Sequence, residues 1–118
     1  MIRTFRDLEV YQASYKLALL IYDISKGFPK EESYEVKSQI KRAALSVTLN
    51  IAEGYGKRQN VNEFKRFLKI SLGSCNEMLV LIDFIKDLNY INESKYKKLR
   101  EEYEVLIKRV ITLSKTWK

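Results

Sequence analysis

Apolar residues recur along the chain at the three- and four-residue spacing of α-helices, and no alternating stretch long enough for a β-strand competes with them. Gly27 and Pro29 indicate one helix end, while Asn60 and Asn92 are typical helix caps, with Glu63 placed to complete a capping box at Asn60. Together these signals predict one domain over residues 1–118 with four helices at about 7–26, 33–55, 60–89 and 92–116. The short connections favour an all-α, antiparallel up-down-up-down four-helix bundle.

The first two helices carry apolar residues on two opposite sides. A helix that is apolar on both sides is normally covered on both, so we expect the chain to associate with itself. Gly73, inside the third helix, supports this expectation, because glycine there costs about 1 kcal/mol relative to alanine and indicates the close approach of another backbone. The alternative is a solvent-facing glycine tolerated by chance. The predicted oligomer interface comprises Val10, Leu17, Leu45, Leu49, Ala52 and Gly73.

Several polar residues interrupt or border the outer apolar sides. Arg42 and Glu53 lie about three helical turns apart, which is too far for them to pair with each other. If they are buried, each needs a partner on another helix or another chain, since an unpaired buried charge strongly destabilises a fold. We therefore predict a structural hydrogen-bond network formed by Arg42, Asn50, Glu53, Ser74 and Glu77.

The composition narrows the classes of function. The chain has no histidine and one cysteine, so the commonest general base is missing and neither a cysteine cluster nor a phosphate-binding glycine loop is present. Glu53 and Glu77 lack the Glu-x-x-His motifs of ferritin-like metal sites. Cys75, on an apolar helical stripe, is expected to be a buried structural thiol. We predict a protein that is not an enzyme and uses neither metal nor cofactor.

The sequence also predicts where the protein works. Its uninterrupted apolar runs, such as Leu17 to Ile21, are far shorter than the roughly 20 residues that span a bilayer. Arg3, Arg6 and Asp7 follow Met1 without the apolar segment of a signal peptide. We therefore expect a cytoplasmic protein with no membrane partner.

The net charge of +7 is unevenly distributed. Two basic clusters are predicted at opposite ends of the bundle. The first surrounds the turn between the second and third helices, and the second opens the fourth helix. No helix-turn-helix or RNA-recognition motif accompanies them, so the charge favours nonspecific binding to phosphates. The alternative is that these residues are ordinary solvated helix faces. The predicted nucleic-acid-binding residues are Lys57, Arg58, Lys65, Arg66 and Lys69, then Lys95, Lys97, Lys98 and Arg100.

Six segments in order along the chain resemble one protein family. They are Phe5–Gln12, Phe28–Tyr34, Gln39–Ala44, Asn50–Gly54, Glu63–Leu68 and Gly73–Glu77. The sequence is similar to the bacterial four-helix-bundle family first noticed as reading frames in intervening sequences of 23S ribosomal RNA genes. This resemblance implies a ring-shaped homopentamer of antiparallel four-helix subunits. One branch, the accessory variability determinant of diversity-generating retroelements, is a basic pentamer that binds nucleic acid and a reverse transcriptase. The chain departs from the family at Thr48, often proline, and at Glu35, often glycine.

The sequence thus predicts a noncatalytic oligomeric scaffold that binds RNA or DNA nonspecifically through basic surfaces. The alternative is a protein adaptor for a nucleic-acid enzyme such as a reverse transcriptase, without direct nucleic-acid binding. The two differ in their response to salt. Direct phosphate binding weakens steeply and log-linearly as salt rises, whereas a protein interface with an apolar centre weakens less.

Overall fold

The computed structural model describes all 118 residues and contains helices and no strand. The helices are α1 (Glu9–Ser25), α2 (Tyr34–Gly56), α3 (Val61–Asp87) and α4 (Glu93–Thr116), with a short 3₁₀ helix at Phe5–Asp7 before α1. These bounds differ by two residues at most from those that the sequence predicts. The all-α fold with four helices is therefore confirmed. None of the helices combines the length and the apolar character needed to cross a bilayer.

Short turns connect the helices, so successive helices run antiparallel. Each packs on the next, and α4 returns to pack more loosely against α1, which gives a body of 46 × 23 × 21 Å. Trp117, after α4, lies edge-on to Phe64 near the start of α3, with ring centroids 4.9 Å apart. At the opposite end, the rings of Phe28 and Tyr90 lie 5.1 Å apart. We call these two ends of the bundle the Trp117 end and the Tyr90 end.

The core lies between the four helices and receives side chains from all of them. Fully burying one large apolar side chain stabilises a fold by roughly 1.5–3 kcal/mol. The helices α2 and α3 come especially close at Gly54, where an added Cβ would lie only 2.6 Å from the Cβ of Phe67. The largest fully buried side chains include those of Ile21, Ile40, Ile51, Phe64, Leu68, Met78, Ile82, Leu99, Tyr103 and Leu106.

Side chains and backbone geometry fix both ends of α3. The side chain of Asn60 accepts a hydrogen bond from the backbone N–H of Glu63 at 3.2 Å, which confirms the predicted cap. The reciprocal contact of a capping box is absent, because the Glu63 carboxylate accepts from Arg66 at 2.8 Å instead. Helix α3 ends with Asn89 in the left-handed region (φ 63°), and the N–H of Tyr90 donates to the carbonyl of Ile85 at 2.9 Å. This is a Schellman ending, with asparagine in the position that glycine usually takes.

The predicted outer side of α1 is wrong. Val10 and Leu17 were expected at an oligomer interface, but both are buried in the core of the subunit itself. Helix α1 instead leaves Tyr15, Leu19 and Tyr22 exposed. Both sides of this helix are apolar in sequence, so periodicity alone did not distinguish the side that packs inward from the side left outside.

Candidate nucleic-acid and subunit interfaces

The first predicted basic cluster lies together at the Trp117 end. Lys57 and Arg58 follow α2, and the other three residues occupy the first turns of α3. Arg66 forms the only ion pair of the five, with Glu63 at 2.8 Å. The hydrogen bond between them lowers the pKa of Glu63 and raises that of Arg66. Lys57, Arg58, Lys65 and Lys69 have no acidic partner within the subunit, so this end carries excess positive charge.

Aromatic rings lie directly beneath several of these cations. Arg66 and Lys57 both approach the ring of Phe67, at 4.6 and 5.8 Å from its centroid. The Arg58 guanidinium lies 4.2 Å from the centroid of Tyr55 and donates to the Tyr55 carbonyl at 3.1 Å. Cation–π contacts of this kind contribute about 0.5–1 kcal/mol each at exposed sites. They limit the motion of the cations and so reduce the entropy lost when a ligand is bound.

The fold adds further cations to this end that sequence reasoning missed. Arg3 and Arg6 precede α1, and Lys115 and Lys118 lie at the end of α4. Antiparallel packing brings both chain termini to the end that holds the α2–α3 turn. The predicted topology could have indicated this, since an up-down-up-down bundle places its first and last residues together with its central turn.

The second predicted cluster, at the Tyr90 end, is closer to electrical balance. Lys95, Lys97, Lys98 and Arg100 lie within two turns of α4 and, at 100° per residue, point in different directions. Arg100 approaches Glu104 to 3.6 Å, and Lys86 approaches Asp87 and Glu93 to 3.9 and 3.7 Å. Lys95, Lys97 and Lys98 form no ion pair, but the carboxylates of Asp83, Asp87 and Glu93 lie at the same end, so its positive surface is weaker and more dispersed than that of the Trp117 end.

The predicted polar network is smaller than expected. The Asn50 side chain donates to the Ser46 hydroxyl at 3.1 Å, and the Ser46 and Ser74 hydroxyls are 2.8 Å apart, which joins α2 to α3. The remaining three members, Arg42, Glu53 and Glu77, are exposed and form no ion pair or side-chain hydrogen bond within the subunit. Their inclusion is wrong for the subunit, because water reaches them. Ser46 belongs to the network although nothing in the sequence distinguishes it from other polar helix residues.

A first exposed apolar surface lies on α1 and α2, and we call it the α1–α2 face. Two predicted interface residues, Leu45 and Leu49, belong to it, and Leu49 remains 57% exposed in the subunit. Tyr22 and Leu45 line one shallow depression, and the ammonium group of Lys41 lies 4.7 Å above the Tyr22 ring. Ala52 is partly buried on the same helix. The α1–α2 face consists of Tyr15, Leu19, Tyr22, Leu45 and Leu49.

A second exposed apolar surface follows the outer side of α3, and we call it the α3 face. Its members share one side of the helix over roughly 27 Å, with Glu77 between Gly73 and Val80. Gly73 lies among them, and a Cβ added there would meet nothing within 4 Å. Gly73 was predicted at an interface, whereas the exposed apolar residues around it were not. The α3 face consists of Ile70, Gly73, Val80, Phe84 and Leu88.

The loose contact between α1 and α4 leaves a groove of about 500 Å³. Apolar side chains form much of its lining, and charges of both signs border it. Arg109 also lines a second depression, which continues along the same seam towards the Trp117 end. The first groove is lined by Ala13, Lys16, Leu17, Leu20, Glu101, Glu102, Val105, Leu106 and Arg109.

The interior holds two groups that could in principle titrate. Cys75 is buried among apolar side chains, as the sequence predicts, and burial raises the pKa of its thiol to about 12. The hydroxyl of Tyr103 is buried without a hydrogen-bond partner, and its pKa is also raised by burial. Both groups are held in their protonated forms, in which a thiol or a phenol is a poor nucleophile.

Comparison with known proteins supports the resemblance seen in the sequence. Residues 6–112 match the family model described as 23S rRNA-intervening sequence protein. A solved structure with the same fold is a protein of unknown function from the S23 ribosomal protein family of Bacteroides thetaiotaomicron VPI-5482. It is 25% identical, with a TM-score of 0.82 over 91% of this chain and 96% of that one. No curated protein matches the sequence. The chain belongs to the 23S rRNA-intervening sequence protein family.

Proposed function

We propose that this member of the 23S rRNA-intervening sequence protein family is a noncatalytic, cytoplasmic scaffold that forms a ring-shaped homo-oligomer and binds RNA or DNA without sequence preference. The observation that carries the proposal is the Trp117 end of the bundle. At this end, basic side chains outnumber the acidic side chains that pair with them, and Lys57, Arg58 and Arg66 lie against aromatic rings. A surface of this kind suits a polyanion more than a small neutral ligand.

Counterion release is the physical basis of the proposed binding. Each phosphate that a lysine or arginine neutralises releases condensed counterions, so the affinity rises with the number of contacts and falls as salt rises. One subunit offers a modest number of free cations at this end. A ring repeats the same set in every subunit, and the contacts add along one nucleic-acid strand. Assembly and binding therefore support each other in this proposal.

The experiment compares two variants that lose the same charge at opposite ends. The first replaces Lys57, Lys65 and Lys69 with glutamine, and the second replaces Lys95, Lys97 and Lys98. Fluorescence anisotropy with labelled single-stranded and duplex RNA and DNA is measured over a salt series. The first variant should bind more weakly and lose roughly one unit of salt slope for each lost phosphate contact.

The second variant should change the affinity much less, because its lysines lie in a region with more acidic neighbours. Equal losses from the two variants would show only a general effect of net charge. Unchanged binding in the first variant would exclude the Trp117 end as the nucleic-acid surface.

A second candidate function is an adaptor that docks a nucleic-acid enzyme, such as a reverse transcriptase, without itself contacting nucleic acid. The groove between α1 and α4 favours it, since an apolar lining with charges of both signs suits a protein segment more than a phosphate chain. Substituting Val105 with glutamate inside this groove should then abolish partner binding. The scaffold would be favoured if the Val105 variant kept its nucleic-acid affinity and the variant without Lys57, Lys65 and Lys69 lost it.

A further inference from the structure

The two exposed apolar faces carry opposite charge at their borders. Lys37, Lys41 and Arg42 line the same depression as Tyr22 and Leu45, so the α1–α2 face has a basic border. From Gly73 to Leu88 the α3 face instead lies among the acidic residues Glu77, Asp83 and Asp87, and Lys86 is the one basic residue between positions 71 and 90; Lys69 adjoins Ile70 at the other end of the face.

Contacts within the subunit leave much of this charge unpaired. Arg42 and Glu77 form no ion pair, and Lys41 contacts only an aromatic ring at its charged end. Lys86 lies within 4.0 Å of two carboxylates, those of Asp87 and Glu93. On the acidic border the Tyr96 hydroxyl donates to Asp83 at 2.8 Å, so Glu77 is the one carboxylate there without a partner, and on the basic border Arg42 is likewise free.

From this complementarity we propose that the α1–α2 face of one copy packs against the α3 face of the next copy. This pairing rests on the self-association in the proposed function and specifies which surfaces meet. Pairing each face with its own equivalent would place basic borders together, or acidic borders together, and like charges that face each other across an interface oppose association. The heterologous arrangement avoids that cost and places Arg42 and Glu77 on opposite sides of one interface.

Gly73 gives the α3 face the shape that such packing needs. The space above its Cα is open within the subunit, so the backbone of α3 is accessible at this point. Leu45 and Leu49 lie one turn apart on α2 and project into solvent. A leucine from the neighbouring copy fills the space over Gly73, with Ile70 at its edge, and this burial explains why a glycine occupies the middle of a long helix.

A heterologous contact also leaves one unused face on each side of any open assembly. Copies therefore continue to add until a ring closes or a filament forms. The inferred pairing thus supplies the geometric rule that a cyclic assembly requires, and it does so without any residue of the basic Trp117 end.

The test uses two variants that each block one face. Leu49→Glu blocks the α1–α2 face, and Val80→Glu blocks the α3 face; both side chains are exposed, at 57% and 66%, so the fold should be kept. Light scattering after size exclusion, without nucleic acid, should show an oligomer for the unmodified protein and a monomer for each variant. An equimolar mixture should form a one-to-one dimer, because one intact face of each kind remains. Ile111→Glu, on α4 and 38% exposed, lies outside both faces and outside the α1–α4 groove; it is the matched control and should keep the full assembly.

Charge reversal gives a second measurement. Arg42→Glu should weaken the assembly at low salt, and adding Glu77→Arg in the same chain should restore it. A variant that still dimerises alone would show pairing between like faces and overturn the inference. A monomeric unmodified protein would overturn it as well. The inference would also be overturned if the mixture of the two variants formed no one-to-one dimer and Glu77→Arg did not restore the assembly weakened by Arg42→Glu. Nucleic-acid binding by the dissociated variants is measured separately, so failure of this pairing is distinguishable from failure of the basic-end proposal.

Discussion

The contact between α2 and α3 at Gly54 gives a sharp test of the structure. Substitution of Gly54 with alanine adds one Cβ atom, which would lie 2.6 Å from the Cβ of Phe67 and 3.1 Å from Cδ1 of Phe64. The Phe64 ring can rotate by a small amount. The Cβ of Phe67 cannot, because it is attached directly to the backbone of α3. The two helices must therefore separate, or the backbone must bend, to admit the methyl group.

Two effects of opposite sign determine the size of the change. Alanine in a helix is favoured over glycine by about 1 kcal/mol. Overpacking a well-packed core typically costs about 1–3 kcal/mol, and a clash between two Cβ atoms belongs at the upper end of that range. We therefore expect Gly54→Ala to lower the free energy of unfolding by about 1–2 kcal/mol, or the melting temperature by roughly 4–8 °C for a chain of this size.

Urea unfolding followed by circular dichroism measures this loss, at two protein concentrations so that any contribution from association is visible. Gly56→Ala is the matched control, because a Cβ added two residues later on the same helix meets nothing within 4 Å. That variant should be as stable as the unmodified protein or slightly more stable. If Gly54→Ala were equally well tolerated, the close approach of α2 and α3 would be refuted, together with the packing of Phe64 and Phe67 derived from it.

Three further outcomes are expected. Gly73→Ala should raise the free energy of unfolding of the dissociated subunit by about 1 kcal/mol in urea titrations, because the added methyl has open space, while loosening the assembly in sedimentation experiments. Tyr103→Phe should leave the stability unchanged or raise it by about 1 kcal/mol in the same titrations, because it removes a buried hydroxyl without a partner. Folding raises the pKa of Cys75 from 9.0 to about 12, so the native state holds this proton more tightly and the free energy of unfolding should fall as pH rises above 9.0. Cys75→Ala should flatten that fall in urea titrations at increasing pH, and an unchanged slope would contradict the burial of the thiol.

Most of the fold was predictable from local signals in the sequence. The helices were predictable because caps such as Asn60 and Asn92 act within one turn, and because the apolar stripe of α3 has a single unambiguous inner side. The same reasoning failed for α1, which is apolar on both sides. Which side of α1 packs inward depends on all its contacts with α2 and α4. The residue pattern of one helix carries no information about those contacts.

The candidate surfaces likewise include some that the sequence predicts and some that it does not. The basic residues near Lys57 and Lys65 were predictable, because a short turn keeps them close in space whatever the remaining packing. The polar network was not, since its one contact between helices, from Ser46 to Ser74, depends on the rotation of α2 against α3. The α3 face was missed for a related reason. Val80 and Phe84 matter as a surface only once their side of α3 is known to be left uncovered.

The proposed pairing of faces also determines where the basic ends lie. A cyclic assembly relates every copy to the next by one rotation, so all Trp117 ends lie at the same height along the ring axis. Lys57, Lys65 and Lys69 of every copy then contribute to one surface, and their phosphate contacts add along a single strand. Dissociating the ring with Leu49→Glu should therefore reduce the affinity for a long strand far more than for a strand short enough to contact one subunit. Anisotropy measurements on labelled strands of both lengths test this directly. Equal losses for the two lengths would show that nucleic-acid binding does not depend on the ring.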